Sequence, residues 1–312
     1  MKIFNALQIK SLDIKQHLPL MMRAICNELI SFSNGDSVVP MPLHLSFPDA
    51  NGECHVKAGY NNNDELFIIK VATGFYNNST LGLSSSDGLM LVCCKRTGVI
   101  NAILCDSGYL TTLRTAITAC IAVTVTPWPI DEISIVGTGE LARLTIEIMH
   151  QQYPKTCIYL WGRNGATVDQ IQHDYPFVRR EDNLSSLVKR GGVVVTTTAS
   201  KIPLIYAHDI GEKIHLIALG ADQPNKQEIN SEIFSIADQV IVDSKERAPH
   251  FGDSAAAFKD QKIQLSKLIE IGCVLQSGVN KNAHVILTDF TGIAPQDIGI
   301  AKYVVESLSN LV

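Results

Sequence analysis

A glycine-rich turn near the middle of the chain constrains the fold more than any other feature of the sequence. The short apolar run Ile133–Val136 leads into Gly137-Thr-Gly139-Glu-Leu-Ala142, and a helical pattern over 140–150 follows. A strand, Gly-x-Gly-x-x-Ala and a helix in this order are typical of a dinucleotide-binding βαβ unit, because the glycines permit a tight turn and a close approach of backbone amides to a pyrophosphate. A purely structural turn is the alternative, and the flanking strand and helix favour the dinucleotide site.

The residues that follow this turn predict a parallel sheet. Apolar runs of strand length alternate with helical stretches, at 133–136, 156–161, 191–198, 214–219 and 239–242. Continuous apolar strands separated by helices are typical of a parallel sheet that is covered on both faces. The sequence therefore predicts an α/β fold with a Rossmann-type doubly wound sheet.

The first third of the chain predicts a mixed α and β domain. An apolar stripe formed by Leu18, Met22, Ile25 and Leu29 predicts a helix that ends at Asn34-Gly35. Strand-type runs follow at 38–45, 55–59, 66–73, 89–94 and 99–105, and a hairpin is expected at 95–98.

Two prolines around Trp128 mark the predicted domain boundary. They end a helix predicted over 108–126, because proline lacks the backbone donor and disfavours helical geometry in the preceding residue. We predict that the Rossmann domain, 127–287, is inserted in a mixed α+β domain made of 1–126 and 288–312. The last helix, expected from Pro295 to Leu311, belongs to the second of these.

Charge and cysteine content exclude several classes of protein. The 312 residues carry a net charge of −5 without any run of Lys or Arg, which argues against binding to nucleic acid. No stretch of about 18 apolar residues occurs, and the first twenty residues lack a continuous apolar core, so we expect neither a membrane segment nor an export signal. Eight scattered cysteines without a Cys-x-x-Cys pair, and no histidine at ligand spacing, predict a reduced, cytoplasmic and metal-free protein.

The end of the second strand of the Rossmann unit bears on the choice of dinucleotide. Sites that prefer NAD usually place Asp or Glu there, whereas this chain has Leu160-Trp-Gly-Arg163-Asn164. A guanidinium favours a 2′-phosphate through paired, charge-assisted hydrogen bonds. We therefore predict NADPH, with NADH also accepted; an exposed loop arginine is the alternative.

Four further motifs complete a family pattern. They are Phe-Ile-Ile-Lys70-Val, Leu110-Thr-Thr-Leu-Arg114-Thr-Ala, the segment from Leu219 to Glu228 that contains Asp222, and Thr291-Gly-Ile-Ala-Pro-Gln-Asp297. With the glycine-rich turn, their order resembles the ornithine cyclodeaminase/μ-crystallin family from about residue 38 to the C-terminus. The resemblance implies a homodimer whose mixed α+β domain binds the substrate.

The resemblance also implies residue roles. Lys70 and Arg114 hold the substrate carboxylate, with Arg114 also near the cofactor, and Asp222 is the acid–base group; Lys70 is also a candidate catalytic residue. His44 stands where family members often carry an arginine, and it grips an anion less firmly, which favours a compact substrate. The remaining candidate cofactor-binding residues are Gly137, Thr138, Gly139, Glu140, Leu141, Arg163, Asn164, Ser85, Thr196, Thr198, Gly220 and Thr291.

Without the resemblance, Lys70, Arg114 and Asp222 would be interpreted as a solvated strand lysine, an arginine on the wet face of a helix and a turn residue. Asp297 is expected to be structural, since a carboxylate in the first turn favours the helix dipole.

Three reactions are implied by the resemblance. The first is reduction of a cyclic imine, such as Δ1-pyrroline-2-carboxylate to L-proline or Δ1-piperideine-2-carboxylate to L-pipecolate. The second is deaminating cyclisation of ornithine with catalytic NAD+. The third is amino-acid dehydrogenation of the alanine type. Arg163 favours the reductase, because NADPH points to a consumed co-substrate.

Two further classes of protein could carry the same glycine-rich turn. One is a binding protein that keeps the dinucleotide without turnover, and the intact set Lys70, Arg114 and Asp222 argues against it. The other is an unrelated sugar-nucleotide or short-chain dehydrogenase. The mid-chain position of the turn, after a β-rich domain, argues against that class, and so does the lack of the Tyr-x-x-x-Lys pair expected there.

Overall fold

The structure, a computed structural model, describes residues 1–223 and 225–310. Its elements in chain order are β1 (Lys2–Asn5), α1 (Ala6–Lys10), α2 (Ile14–Ser33), β2 (Ser37–Val38), β3 (Leu43–Phe47), β4 (Gly52–Asn61), β5 (Leu66–Phe75), β6 (Ser86–Cys94), β7 (Ile100–Cys105), α3 (Tyr109–Thr124), β8 (Glu132–Val136), α4 (Glu140–Gln152), β9 (Cys157–Trp161), α5 (Gly165–Asp174), β10 (Val178–Arg180), α6 (Leu184–Lys189), β11 (Gly192–Thr196), β12 (Ile214–Ala218), α7 (Glu232–Ile236), β13 (Gln239–Val242), α8 (Gly252–Lys259), β14 (Leu268–Glu270), α9 (Ile271–Ser277), β15 (Val285–Asp289) and α10 (Ala294–Ser309).

The chain divides into two compact units. Unit 1 comprises Met1–Arg114 and Ile293–Val312, and unit 2 comprises Thr115–Gly292. The division passes inside α3, whereas the sequence placed it after that helix. The boundary expected after residue 287 would cut β15, which pairs along its length with β12. The assignment of substrate binding and dimerisation to one domain and dinucleotide binding to the other stays a prediction.

Unit 1 contains a seven-stranded sheet of mainly antiparallel strands. Its order is β1-β7-β6-β5-β4-β2, with β3 also paired to β4. The strand expected over 38–45 is divided into β2 and β3. Pro40 and Pro42 lie between the two strands and interrupt the pairing, because proline cannot donate a ladder hydrogen bond. The hairpin expected at 95–98 joins β6 and β7.

Helix α2 packs against α10 in the same unit. Its buried stripe is Leu18, Met21, Ile25 and Leu29, so Met21 rather than Met22 lies in the core. Asp13 begins the helix by accepting the N–H of Lys15, and Asn34 ends it as predicted. The predicted end of the last helix, at residue 311, lies outside the described residues.

Unit 2 confirms the predicted doubly wound parallel sheet. Eight parallel strands run in the order β10-β9-β8-β11-β12-β15-β13-β14. The order reverses between β8 and β11, and ligands of open α/β sheets bind at such a switch point, beyond the carboxyl ends of the strands. Three strands were not predicted from the sequence: the two short outer strands β10 and β14, and the inner strand β15.

No helix in the described ranges combines the length and apolar character needed to cross a membrane.

Candidate functional site

The glycine-rich turn has the geometry of a phosphate cradle. Gly137 follows β8 with φ +126°, and a Cβ there would lie 2.4 Å from Thr197 Oγ1, so this position requires glycine. Gly139 is the N-cap of α4 and offers no side chain to the first amides of the helix. A Cβ on Gly139 would meet no atom within 4 Å. The open space at the amino end of a 13-residue helix fits the pyrophosphate of a dinucleotide.

The end of β9 lies against this turn. A Cβ on Gly162 would lie 2.3 Å from Thr138 Cγ2, so the Thr138 side chain packs directly on the Gly162 backbone, and the Gly137 N–H donates to the Trp161 carbonyl at 2.9 Å. Arg163 is exposed beside them, and Asn164 caps α5 by accepting the N–H groups of Ala166 and Thr167. Arg163 is therefore accessible to a ligand, and its role stays a prediction.

A buried glutamate ties the ends of β11 and β12. Glu228 Oε1 accepts the N–H of Thr198 at 2.6 Å, while Oε2 accepts the Thr196 hydroxyl at 2.7 Å and the N–H of Gly220 at 2.8 Å. Burial raises the pKa of Glu228, and these donors oppose the shift. The sequence motif contained Glu228, but nothing in its spacing indicated these partners.

Gly220 brings the two strand ends into backbone contact. A Cβ at this position would lie 1.8 Å from the carbonyl oxygen of Thr198. Three expected cofactor-binding residues, Thr196, Thr198 and Gly220, are thus fixed by one another and by Glu228.

Thr291 is held in place by an aspartate at the end of β13. Asp243 Oδ2 accepts the N–H of Thr291 at 2.9 Å and that of Gly292 at 2.7 Å, and Asp243 Oδ1 accepts the Thr291 hydroxyl at 3.2 Å. Thr291 is buried. The expected proximity of Thr291 to the nicotinamide stays a prediction.

Asp222 follows β12 and is ion-paired. Its Oδ1 lies 2.8 Å from Lys226 Nζ, and 37% of its side chain is exposed. Lys226 is mostly buried, so it fixes the orientation of a carboxylate that remains accessible.

Lys70 and Arg114 lie together in unit 1, where they share a carboxylate. Lys70 Nζ lies 2.8 Å from Asp297 Oδ1, and Arg114 Nε lies 3.2 Å from the same oxygen. Arg114 also donates to Gln296 Oε1. All three charged side chains are almost completely buried, so neither cation is a solvated surface residue. Asp297 does more than favour the helix dipole, because it is the counter-ion of both cations.

A third buried cation, Lys57, completes this cluster. Lys57 pairs with Lys70 across β4 and β5 and interacts electrostatically with Asp297. Three cations and one carboxylate leave a net formal charge of +2, or +1 when nearby Asp106 is ionised. Lys57 was not among the residues expected from the sequence, because its place opposite Lys70 follows from the pairing register of β4 and β5.

Lys70 and Asp297 keep their charges at neutral pH. Burial lowers the pKa of Lys70 to about 8, although Asp297 opposes that shift. Burial alone would raise the pKa of Asp297, but Lys70 and Arg114 outweigh it and hold the pKa below its usual value. The cluster is therefore an electropositive, desolvated site suited to a small carboxylate.

His44 lies next to His55 and Glu53 rather than in the cation cluster. The rings of His44 and His55 stack with centroids 4.6 Å apart across β3 and β4. Because Glu53, His55 and Lys57 alternate along β4, this group lies on the sheet face that carries Lys57 and Lys70. The predicted contact of His44 with substrate stays a prediction.

Ser85 is exposed in the loop before β6, where its carbonyl accepts the N–H of Phe75. Its predicted contact with the cofactor also stays a prediction.

Known proteins resemble this chain over almost its whole length. It is 28% identical over 304 residues to an "uncharacterized cyclodeaminase" of Sinorhizobium fredii, covering 93% of this chain and 92% of the relative. It is 24% identical over 291 residues to a Δ1-pyrroline-2-carboxylate reductase of Bacillus cereus, with coverages of 89% and 88%.

Solved structures share the fold. An archaeal alanine dehydrogenase dimer with bound NAD superposes with a TM-score of 0.89 at 24% identity, covering 100% of this chain and 97% of the other. The Thermococcus litoralis Δ1-pyrroline-2-carboxylate reductase in complex with NADH and L-proline gives the same TM-score at 19% identity, with coverages of 100% and 99%.

The model of the ornithine cyclodeaminase/mu-crystallin family matches residues 5–311. The order of the motifs, the doubly wound sheet and this match agree, and the chain belongs to the ornithine cyclodeaminase/mu-crystallin family.

Proposed function

We propose that the protein is an NADPH-dependent reductase of cyclic imino acids, converting Δ1-pyrroline-2-carboxylate to L-proline and accepting Δ1-piperideine-2-carboxylate as well. The observation that carries the proposal is the buried cluster of Lys57, Lys70, Arg114 and Asp297, whose excess positive charge suits a carboxylate. The name of the Bacillus cereus relative supports the choice of substrate.

The cation cluster binds and orients the substrate. Lys70 and Arg114 attract the carboxylate from a desolvated position, where charge-assisted bonds are stronger than at the surface. Asp297 holds both cations in place before the substrate arrives, so little side-chain entropy remains to be lost on binding. Fixing the carboxylate also fixes the ring, which supplies the proximity contribution to the rate.

The glycine-rich turn holds the dinucleotide in this proposal. The free amides at the start of α4 would bind the pyrophosphate, and Arg163 would bind the 2′-phosphate of NADPH. The bound dihydronicotinamide supplies the hydride. Solved structures of the same fold contain NAD or NADH, so the preference for NADPH depends on Arg163.

Asp222 serves the imine nitrogen. The imine must carry a proton to accept hydride at C2, and the Asp222 carboxylate holds that proton at the ring nitrogen and stabilises the cation. Lys226 keeps the carboxylate in one orientation. After the transfer, the proton stays on the secondary amine of the product.

Ornithine cyclodeamination is the second candidate function. The name of the Sinorhizobium fredii relative favours it. The two functions differ in turnover of the dinucleotide, since the reductase consumes NADPH and the cyclodeaminase regenerates NAD+ in each cycle.

A spectrophotometric panel distinguishes the candidates. Purified protein is offered NADPH or NADH with Δ1-pyrroline-2-carboxylate, with Δ1-piperideine-2-carboxylate, or with pyruvate and ammonia. Ornithine with NAD+ is followed by ammonia release. We expect loss of dihydronicotinamide absorbance with the two cyclic imines; ammonia release from ornithine without activity on either imine would replace the proposal with the second candidate.

A further inference from the structure

Two histidines and a glutamate meet at the end of the antiparallel sheet of unit 1. His44 of β3 lies directly across from His55 of β4, and Glu53 precedes His55 by two residues on the same strand face. One ligand atom from each of the three side chains lies within 4.8 Å of the other two. We propose that His44, Glu53 and His55 form a binding site for a divalent late transition-metal ion, with Zn2+ as the representative.

The distances are close to those of a coordination sphere. Glu53 Oε2 lies 4.0 Å from His44 Nε2 and 3.8 Å from His55 Nε2. At Zn–N and Zn–O bond lengths of about 2.0–2.2 Å, two ligand atoms at a tetrahedral angle lie about 3.4 Å apart. Closure requires each imidazole to approach Glu53 Oε2 by about half an ångström. Rotation of the exposed His44 ring can supply its share and can also bring its nitrogen towards that of His55, within 4.8 Å of which it lies.

The carboxylate is held with one oxygen directed at the two histidines. The Tyr76 hydroxyl donates to Glu53 Oε1 at 2.5 Å, and Oε2 is the oxygen nearer both imidazoles. An outer hydrogen bond of this kind orients a metal-binding carboxylate and is a regular part of protein metal sites.

The burial of the three ligands favours a site with an open coordination position. The side chains of Glu53 and His55 are only 14% and 15% exposed, whereas that of His44 is 42% exposed. Two ligands are thus fixed by the sheet, and the exposed side leaves room for water.

The ligand set also selects the class of metal. Imidazole nitrogens suit Zn2+, Cu2+ and Ni2+, whereas Mg2+ and Ca2+ prefer oxygen ligands. In this assignment His44 coordinates the ion through Nε2 and does not bind the substrate carboxylate. The ligand set is not evident in the sequence because the three residues come from two strands that only the fold brings together.

Calorimetric titration of ZnCl2 into chelator-treated full-length protein tests the site. We expect one ion per chain, binding that Mg2+ does not displace, and an affinity at least tenfold weaker in His55→Ala and in Glu53→Gln. Tyr76→Phe should weaken binding by about tenfold or more, since outer partners contribute on that scale. The control is His208→Ala, which removes an exposed histidine near another carboxylate, Asp209, and should leave Zn2+ affinity unchanged.

Two results would overturn the proposal. One is the absence of a saturable Zn2+ isotherm in the wild-type protein. The other is an affinity that Glu53→Gln leaves unchanged, because this variant keeps the shape of the side chain and removes only the charge. A thermal unfolding curve recorded without metal verifies that each variant is folded.

Discussion

Lys70 and Arg114 both pair with Asp297 Oδ1, so a substitution of either cation changes the charge balance around the other. The pairs are buried, so their electrostatic interaction is stronger than that of surface ion pairs. Removing one cation leaves the carboxylate poorly compensated and also removes a group that would bind the incoming anion.

Lys70→Ala should therefore raise KM for Δ1-pyrroline-2-carboxylate about thirtyfold or more, because truncating one partner of a buried charge pair costs about 2 kcal/mol or more. Steady-state kinetics at saturating NADPH measure this change. Lys70→Arg, which keeps the charge, serves as the control. An alanine variant with the KM of the wild type would exclude Lys70 from carboxylate binding.

The pH dependence of binding follows from the lowered pKa of Lys70. Below a pH of about 8 the ammonium is present in the folded protein, and above it the charge is lost. We expect kcat/KM for the imino acid to fall as pH rises through about 8, and this fall should be absent in Lys70→Arg. An identical profile in both proteins would assign the titration to another group.

The same shift has the opposite effect on stability. The unfolded lysine titrates near pH 10.5, so between about 8 and 10.5 the unfolded state binds more protons than the folded state. The contribution of Lys70 to the free energy of unfolding therefore rises with pH across that window, while its binding of an anion weakens.

Arg163→Asp should reverse the cofactor preference. The substitution removes the donor for a 2′-phosphate and places there a carboxylate that accepts from a ribose hydroxyl. The cofactor preference is measured as the ratio of kcat/KM for NADPH to that for NADH. We expect this ratio to fall by about tenfold or more, because hydrogen bonds to a charged group contribute on that scale. Arg190→Ala is the control, since Arg190 pairs with Glu132 at the amino end of β8. An unchanged ratio in the aspartate variant contradicts the assignment.

Individual functional residues could be predicted only where a motif carried them. Lys70 and Arg114 entered through the family pattern, but the counter-ion of Lys70 is 227 residues away in the chain. Lys57, Glu228 and the meeting of His44 with Glu53 and His55 have no local signal, because each depends on the pairing of strands or on a buried hydrogen bond.

At the scale of elements, the ends of β11 and β12 are connected by Glu228. One carboxylate accepts hydrogen bonds from both strand ends, so the two loops share a buried anchor. A buried acceptor with several donors is costly to replace, because each donor left without a partner loses its hydrogen bond without regaining water.

Glu228→Gln should lower the free energy of unfolding by about 1–3 kcal/mol, since the amide nitrogen cannot accept from a backbone N–H. It should also raise KM for NADPH, because Thr196, Thr198 and Gly220 are the expected cofactor-binding residues on this side. Urea unfolding and steady-state kinetics measure the two effects. Glu232→Gln, an exposed glutamate paired with Lys262, should change neither; equal stability of both variants would contradict the anchoring role.

The elements were predicted best where composition alone determines them. Buried parallel strands such as Ile133–Val136 are short apolar runs, and the glycine-rich turn marks the helix that follows. Val285–Asp289 was missed because only its first three residues are apolar, and its inner position depends on pairing with β12 and β13. The strand expected over 38–45 was wrong in continuity, since Pro40 and Pro42 interrupt it.

At the scale of the whole molecule, the two units carry different parts of the proposed chemistry. The cation cluster belongs entirely to unit 1, and the glycine-rich turn, Arg163 and the Glu228 anchor belong to unit 2. Each group of side chains is organised by its own sheet, so each group can be tested by substitutions within one unit.

A homodimer is the assembly that we propose. Three alternate residues on one face of β3 are exposed: Leu43 by 53%, Leu45 by 47% and Phe47 by 41%. A continuous exposed apolar face of this kind is typical of a protein–protein interface.

Leu45→Lys should shift the molar mass in solution from that of a dimer towards that of a monomer, because a charge in an apolar interface is left desolvated. Light scattering after size-exclusion chromatography measures the mass. Leu265→Lys, a leucine of unit 2 with 50% exposure, is the matched control and should remain dimeric. A monomeric wild-type protein would contradict the proposal.

The contact between Gly220 and the Thr198 carbonyl restricts how the protein can be redesigned. No side chain can be added at Gly220 without forcing two neighbouring strand ends apart, whereas the loop after β9 ends in exposed residues at 163 and 164. A laboratory that seeks a variant with altered coenzyme use should therefore randomise the arginine loop and leave the opposite flank intact.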